Sequence, residues 1–273
     1  MCKKIAVAMC VYKNDKLIFL EKAVNSLLEQ TSIEFHVYIE VDGPISEEIK
    51  IYLESLKKTY YNIFIINFNK EQKGLAFRLN TIIDSVLKKN EYLFLARMDA
   101  DDYCQKDRLI IQKTFLEENL DIDVVGSDVI EVDDFDKPLF YKKMHSYHKD
   151  ICKNIIKKCP FNHPTVMIRL CSIKNIRYKE YLKNTQDYFF WIDLLNSGCR
   201  FHNIDKPLLY FRLDKNFYSR RGIKKIKNDI YSRIYAMNTL HIWSLRNIFL
   251  LVMLITLRIS PKVIKKFAYK KYR

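Results

Sequence analysis

Tyr92-Leu93-Phe94-Leu95-Ala96-Arg97-Met98-Asp99-Ala100-Asp101-Asp102 is an apolar run that delivers three carboxylates within four residues. The run has the length and composition of a buried strand. Carboxylates packed this closely repel and raise one another's pKa. A cation removes that penalty. Hard divalent ions choose oxygen ligands, and Mg2+ keeps several waters while borrowing one or two carboxylates and substrate phosphates. Asp-x-Asp at a strand end therefore suits a metal–diphosphate. An acidic turn or a helix cap is the competing reading of the string on its own.

Outward from this stretch the chain alternates between two periods. Short apolar runs recur at Ile5–Tyr12, Phe35–Val41, Ile63–Phe68 and Ile122–Val132. Helical spacing fills 16–30, 46–58, 75–89 and 107–118, and Leu17, Leu20, Val24, Leu27 and Leu28 share one face of the first. Ser46, followed by Glu47 and Glu48, reads as a helix start. Strand–helix alternation predicts an α/β fold with a mostly parallel central sheet and right-handed crossovers. Such sheets bind ligands outside the carboxyl ends of their strands, which is where polar residues deserve inspection.

Shorter elements follow over 136–212, among them a strand at Thr165–Leu170, a helix near Asp187–Asn196 and a strand at Arg200–Phe211. From about 213 the composition changes to a loop, a basic cluster (Arg220, Arg221, Lys224, Lys225, Lys227), helical stretches at 223–241 and 243–258, and a Lys-rich end. The net charge of +15 belongs to this end. Residues 200–273 hold 18 basic and 3 acidic side chains, whereas residues 1–199 hold 29 of each. A neutral body with a cationic appendage argues against a uniformly basic nucleic-acid binder.

The 49% apolar content excludes disorder along the whole chain. Seven scattered cysteines without a CxxC pair fit a reducing compartment. His145 and His148, near Cys152 and Cys159, match no common zinc spacing. The opening MCKKIAVAMCVYKND imitates a signal peptide but lacks an A-x-A cleavage pattern, and it reads as a buried first strand. The longest apolar stretch, Ile248 to Leu257, falls short of the roughly 18–20 residues that span a bilayer.

Seven strings, in this order, carry a family resemblance: VAMCVYKND, EVDGP, KGLAFRLN, FLARMDADD with Arg108 after it, DIDVVGSD, FNHPTVMIR and QDYFFW. Over about residues 4–212 the chain resembles the family 2 glycosyltransferases, inverting enzymes of the GT-A fold, and among them bacterial capsule, O-antigen and exopolysaccharide types. The resemblance implies a Rossmann-like GT-A domain over 1–212, with a nucleotide-binding half at about 1–102 and an acceptor half at about 103–212. A basic amphipathic helical region follows at 213–273.

By the same resemblance, Tyr12 packs against the nucleotide base, or else merely caps the sheet. Asp42 accepts from a base N–H, which suits N3–H of uracil. The family places an acidic residue just before this Asp; here Val41 stands there, with Glu40 one position earlier. Lys73 and Arg78 neutralise diphosphate or lie on a solvated surface, and Asn80 orders the fold. Asp99 and Asp101 bind Mg2+ or Mn2+ with the ribose and diphosphate. Asp102 caps the next helix or assists from behind. Asp187 takes the place of the catalytic base, with an N-cap as its competing role, and Gln186 replaces the family's usual Glu. Arg220 and Arg221 form a loop that closes over the diphosphate, or face a membrane.

The reaction implied is direct displacement: a nucleotide-sugar, UDP-linked by the Asp42 reading, gives its sugar to a hydroxyl of a glycan or lipid-linked acceptor. The basic end then addresses the enzyme to an anionic membrane surface at the cytoplasmic face of the inner membrane. Two other classes compete. A sugar-phosphate nucleotidyltransferase needs a Gly-rich loop after the first strand, and Cys10–Asp15 has no Gly. A non-enzymatic basic module for membranes or nucleic acid leaves the carboxylate cluster without a purpose.

Overall fold

A computed structural model describes residues 4–31, 33–213 and 226–260. The alternation seen in the sequence becomes β1 (Lys4–Tyr12), α1 (Leu17–Leu28), β2 (Phe35–Asp42), α2 (Glu47–Thr59), β3 (Phe64–Phe68), α3 (Leu75–Lys89) and β4 (Tyr92–Asp99). Strands β1 to β4 pair in parallel in the order β3-β2-β1-β4. The Ser46 hydroxyl accepts from the Ile49 amide at 3.4 Å, with Glu47 and Glu48 in the first turn of α2 and Lys57 and Lys58 in its last. Both charge placements oppose the helix dipole favourably.

The second half contains β5 (Tyr103–Cys104), α4 (Arg108–Glu118), β6 (Val124–Val132), β7 (Pro138–Lys142), α5 (His148–Lys153), β8 (Met167–Arg169), α6 (Gln186–Asn196), β9 (Phe201–Arg212), α7 (Ile226–Thr239) and α8 (Leu245–Ile259). The sheet continues as β4-β8-β6-β9-β5, with β7 on β6. Here β6 and β9 are parallel, while β8, β7 and β5 run antiparallel to their neighbours. The short 133–137 connection between β6 and β7 has no room for a crossover, so a hairpin results. The strand expected at Thr165–Leu170 shrinks to three residues, because tight 3-10 turns occupy His163–Thr165 and Leu170–Ile173.

The period of two sorts the sheet's side chains. Ile5, Val7, Met9 and Val11 of β1 pack with Leu20, Val24 and Leu27 of α1 and Leu53 of α2. Ala6 and Ala8 turn the other way, toward Leu79, Ile82 and Val86 of α3 and Trp191 of α6. Helices therefore cover both faces, and polar chemistry is left to the strand ends. A third cluster joins Ile155, Ile156, Tyr188 and Ile192 to Ala236 and Met237 of α7, with Leu250 and Leu251 of α8 against it. Arg108 is buried, and its guanidinium donates to the Arg97 carbonyl at 2.7 Å and to Gln112 at 3.0 Å. Gln112 in turn donates to the Thr165 carbonyl at 2.7 Å, so α4 locks β4 to the turn before β8.

Candidate active site

Ladder register brings the strand ends together. Tyr12 stands opposite Asp42, and Cys10 opposite Asp99. Three residues singled out in the sequence thus share one rim of the sheet.

Asp42 is held on both oxygens. Oδ1 accepts from the Lys73 amide at 2.8 Å and from Arg78 Nε at 2.8 Å, while Oδ2 accepts from the Gly74 amide at 2.9 Å. A carboxylate offers about four acceptor positions, and these bonds fill three of them. Gly74 reaches this position with φ +91, a backbone region that suits glycine. Arg78 is buried and also donates to the Glu71 carbonyl. Its charge therefore meets Asp42 rather than an open phosphate surface. Lys73 contributes its backbone amide, while its ammonium lies 3.7 Å from Glu71 and 4.7 Å above the Phe77 ring. Glu40, buried, accepts from Asn67 at 2.7 Å and Asn69 at 2.8 Å, which fixes β3, and Val41 faces the core.

One oxygen from each of Asp99, Asp101 and Asp102 falls within 4.8 Å of the others, with Asp99 part-buried, Asp101 exposed and Asp102 buried. Arg97, buried beneath them, donates to Asp99 and to the Met98 carbonyl. Asp102 Oδ1 accepts from the Arg212 amide at 2.7 Å, and Oδ2 is buried with no hydrogen-bond partner among the described residues. Asp102 thus pairs with β9 and not with the start of α4, whose cap position is Asp107. Arg212 ties the loop down further, donating to the Asp101 carbonyl at 2.9 Å and to Asp136 at 2.6 Å.

Loss of solvent in the cleft, followed by the charge of Asp99, pushes Asp101 up to about 6. Burial, then Asp101 and Asp99, raises Asp102 well above the usual carboxylate range. Asp15 joins the group: burial raises it to about 7 against the pull of the Tyr12 amide, and Asp101 and Asp99 add to the rise. The Tyr12 amide donates to Asp15 Oδ2 at 2.9 Å. Three converging carboxylates with one orphaned buried oxygen fit a divalent cation. Among the described residues this is the one cluster of its kind, and the histidines and cysteines near 145–159 form none.

Asp187 lies in the first turn of α6, whose cap position is Thr185 in a left-handed conformation, φ 60. Asp187 is therefore not the N-cap; it sits where the helix dipole favours a negative charge. The Cys159 thiol points at Asp187 Oδ2, 3.9 Å away, and burial, then Asp187, pushes that thiol up to about 12. Arg233 of α7 lies 3.8 Å over the Tyr188 ring, next in sequence to Asp187.

Tyr178 is buried and stacks on Phe190 of α6, with ring centroids 4.0 Å apart. Its hydroxyl is 2.9 Å from His163 Nε2. Burial, then Arg97, lowers His163 well below its ordinary value and keeps it neutral. Asn80 holds the Tyr178 backbone with bonds of 2.9 Å in each direction and donates to Glu180 at 2.8 Å, so it orders this loop as expected. Arg220 and Arg221 lie outside the described residues.

Sequence reading missed Tyr178, Arg212 and Arg233. Asp15, Arg97 and His163 lay in recognised strings without a role. The remaining signal for Asp15 was its place three residues beyond Tyr12, within one turn.

Comparison with known proteins agrees with the fold. The sequence profile described as "Glycosyl transferase family 2" matches residues 6–176. The chain is 29% identical to the Escherichia coli "UDP-Gal:alpha-D-GlcNAc-diphosphoundecaprenol beta-1,3-galactosyltransferase", over 98% of this chain and 96% of that one. It is 24% identical to the "Amylovoran biosynthesis glycosyltransferase AmsE" of Erwinia amylovora, over 98% of each. Its fold matches S. aureus TarS 1–349 in complex with UDP at a TM-score of 0.65 and 19% identity, covering 98% of this chain and 75% of that one.

Proposed function

The chain belongs to glycosyl transferase family 2, and from that premise we propose that it moves a sugar from a UDP-linked donor to a hydroxyl of a glycan or lipid-linked glycan in bacterial surface-polysaccharide synthesis. The observation that carries this reading is the shared rim of Tyr12, Asp42 and Asp99, beside which Asp101 and Asp102 complete a three-carboxylate cluster. The lipid-linked acceptor of the E. coli relative and the amylovoran biosynthesis of the E. amylovora relative support the polysaccharide context.

On this reading Tyr12, 39% exposed at the rim, stacks on the base. Asp42 keeps one acceptor position on Oδ2 for the uracil N3–H. Asp99 and Asp101, backed by Asp102, would hold Mg2+ or Mn2+, which would supply positive charge to the leaving diphosphate. Asp187 takes the proton of the acceptor hydroxyl as that oxygen attacks the anomeric carbon. UDP leaves from the opposite face, and configuration inverts. General-base help of this kind contributes about 10²–10⁴-fold in rate. Arg97 and Arg212 fix the carboxylate loop before substrate arrives, through their bonds to Asp99 and to the Asp101 carbonyl.

The cationic C-terminal region places the site at an anionic membrane surface, the cytoplasmic face of the inner membrane, where lipid-linked acceptors lie. No helix among the described residues is long and apolar enough to cross a membrane. The test is a screen of UDP-, GDP- and dTDP-sugars with and without Mn2+. Metal-dependent release of UDP supports the proposal, and release from none of these donors overturns it.

A further inference from the structure

We propose that α8 lies in the plane of an anionic bilayer and inserts one apolar stripe into it, so that attachment is by burial as well as by charge. This rests on the membrane reading above and adds the face and the mode of contact. Leu245, Ile248, Phe249, Val252, Met253 and Ile259 follow helical spacing and are between 42% and 88% exposed. Trp243, 53% exposed, stands at the start of the helix, where an amphipathic ring suits the level of the headgroups.

The opposite side of α8 is fastened to the protein. Leu250 and Leu251 pack on the cluster of Ala236 and Met237. Asn247 is buried and donates to the Ile242 carbonyl at 2.7 Å. Arg246 donates to the Lys153 carbonyl at 2.7 Å, and Arg258 pairs with Asp229 at 2.7 Å. The stripe's direction is therefore set by the fold. A row of large apolar side chains held outward in this way marks an interaction surface.

Charge selects the occupant. Residues 261–273, directly after this helix, contain six basic and no acidic side chains, and the region from 200 onward carries the whole net charge of the chain. A second copy of the chain brings the same positive charge and is repelled. A nucleic acid answers the charge but gives the stripe nothing to bury in. An anionic lipid surface answers both. The fifteen residues of α8 extend about 22 Å, against a hydrocarbon core of roughly 30 Å, so the helix rests in the interface without crossing it. Helices of this type bury their apolar face to a depth of about 5–10 Å.

The full-length chain is to be floated with vesicles of phosphatidylethanolamine and phosphatidylglycerol, at low and at high salt, alongside the double variant Phe249→Glu/Val252→Glu. Wild type should bind and keep part of its binding at high salt. The variant should partition at least about tenfold more weakly, since each removed side chain gives up most of its transfer energy. Its thermal melt, and its turnover of a water-soluble acceptor, should equal wild type. Binding that high salt abolishes and the variant leaves intact overturns insertion in favour of adsorption by charge alone. Failure of wild type to float, with α8 instead mediating association with a protein, overturns it as well. Flotation needs no turnover, so failure of the proposed reaction and failure of insertion are read separately.

Discussion

Arg78 and Asp42 form a buried ion pair, Nε to Oδ1 at 2.8 Å, with side-chain exposures of 4% and 5%. The pair reaches from α3 to the end of β2, and the amides of Lys73 and Gly74 complete it. We predict that Arg78→Ala leaves a buried carboxylate uncompensated and destabilises the fold by about 3–5 kcal/mol. Arg78→Lys should rescue little, because a point charge cannot reproduce the guanidinium's bonds to both Asp42 and Glu71. Denaturant melts of the two variants measure this; wild-type stability in either would refute the structural role.

Asp187→Asn should bind the nucleotide-sugar normally and lose transfer, with kcat lower by about 10²–10⁴-fold. Calorimetry and a transfer assay separate the two quantities. Near-normal turnover would remove Asp187 from the base role.

The carboxylate group should show itself in the pH dependence of stability. Asp15, with its pKa raised to about 7, holds its proton more tightly in the folded chain than in the unfolded one. Its contribution is therefore favourable at low pH and is lost as pH rises from the ordinary carboxylate range through about 7. We predict that Asp15→Asn matches wild type near pH 4 in metal-free buffer and is more stable by about 1–2 kcal/mol at pH 8, after discounting for solvent screening. Added Mn2+ should shrink that difference by supplying the missing counter-charge. Equal stability at both pH values would show that Asp15 does not feel its acidic neighbours.

Asn80→Ala should loosen the loop between β8 and α6, because three side-chain bonds to Tyr178 and Glu180 disappear together. The expected cost is about 1–3 kcal/mol, with donor affinity unchanged and the apparent KM for acceptor raised. An unchanged melt would contradict the anchoring role, and weakened donor binding with intact acceptor kinetics would relocate it.

How much of this was legible follows from how far each signal reaches along the chain. Strands β1, β2, β3, β4 and β6, and helices α1 to α4, announce themselves through periods of two and 3.6, and Tyr12, Asp42 and Asp99 mark where apolar runs stop. β7 has three exposed residues out of five and α5 has six residues, so neither carries a readable period. The electrostatic scaffold was less accessible. Arg78 follows Asp42 by 36 positions, and Arg212 follows Asp102 by 110. No local pattern connects such pairs; the ladder and helix packing do. Lys73 shows the limit from the other side, since its charge attracts notice in the sequence while its backbone amide does the holding.

The bond from the Arg212 amide to Asp102 also orders events in time. Chains emerge from the ribosome N-terminal end first, so the four parallel strands and all three clustered carboxylates are synthesised before the arginine that secures them, which follows Asp102 by 110 positions. Until β9 arrives and pairs with β6, Asp101 and Asp102 crowd each other without the cationic clasp of Arg212. A fragment ending near residue 102 contains every acidic group of the cluster and still lacks a finished site. A piece of this chain that includes the bond securing Asp102 therefore extends at least to Arg212, not merely to the last carboxylate.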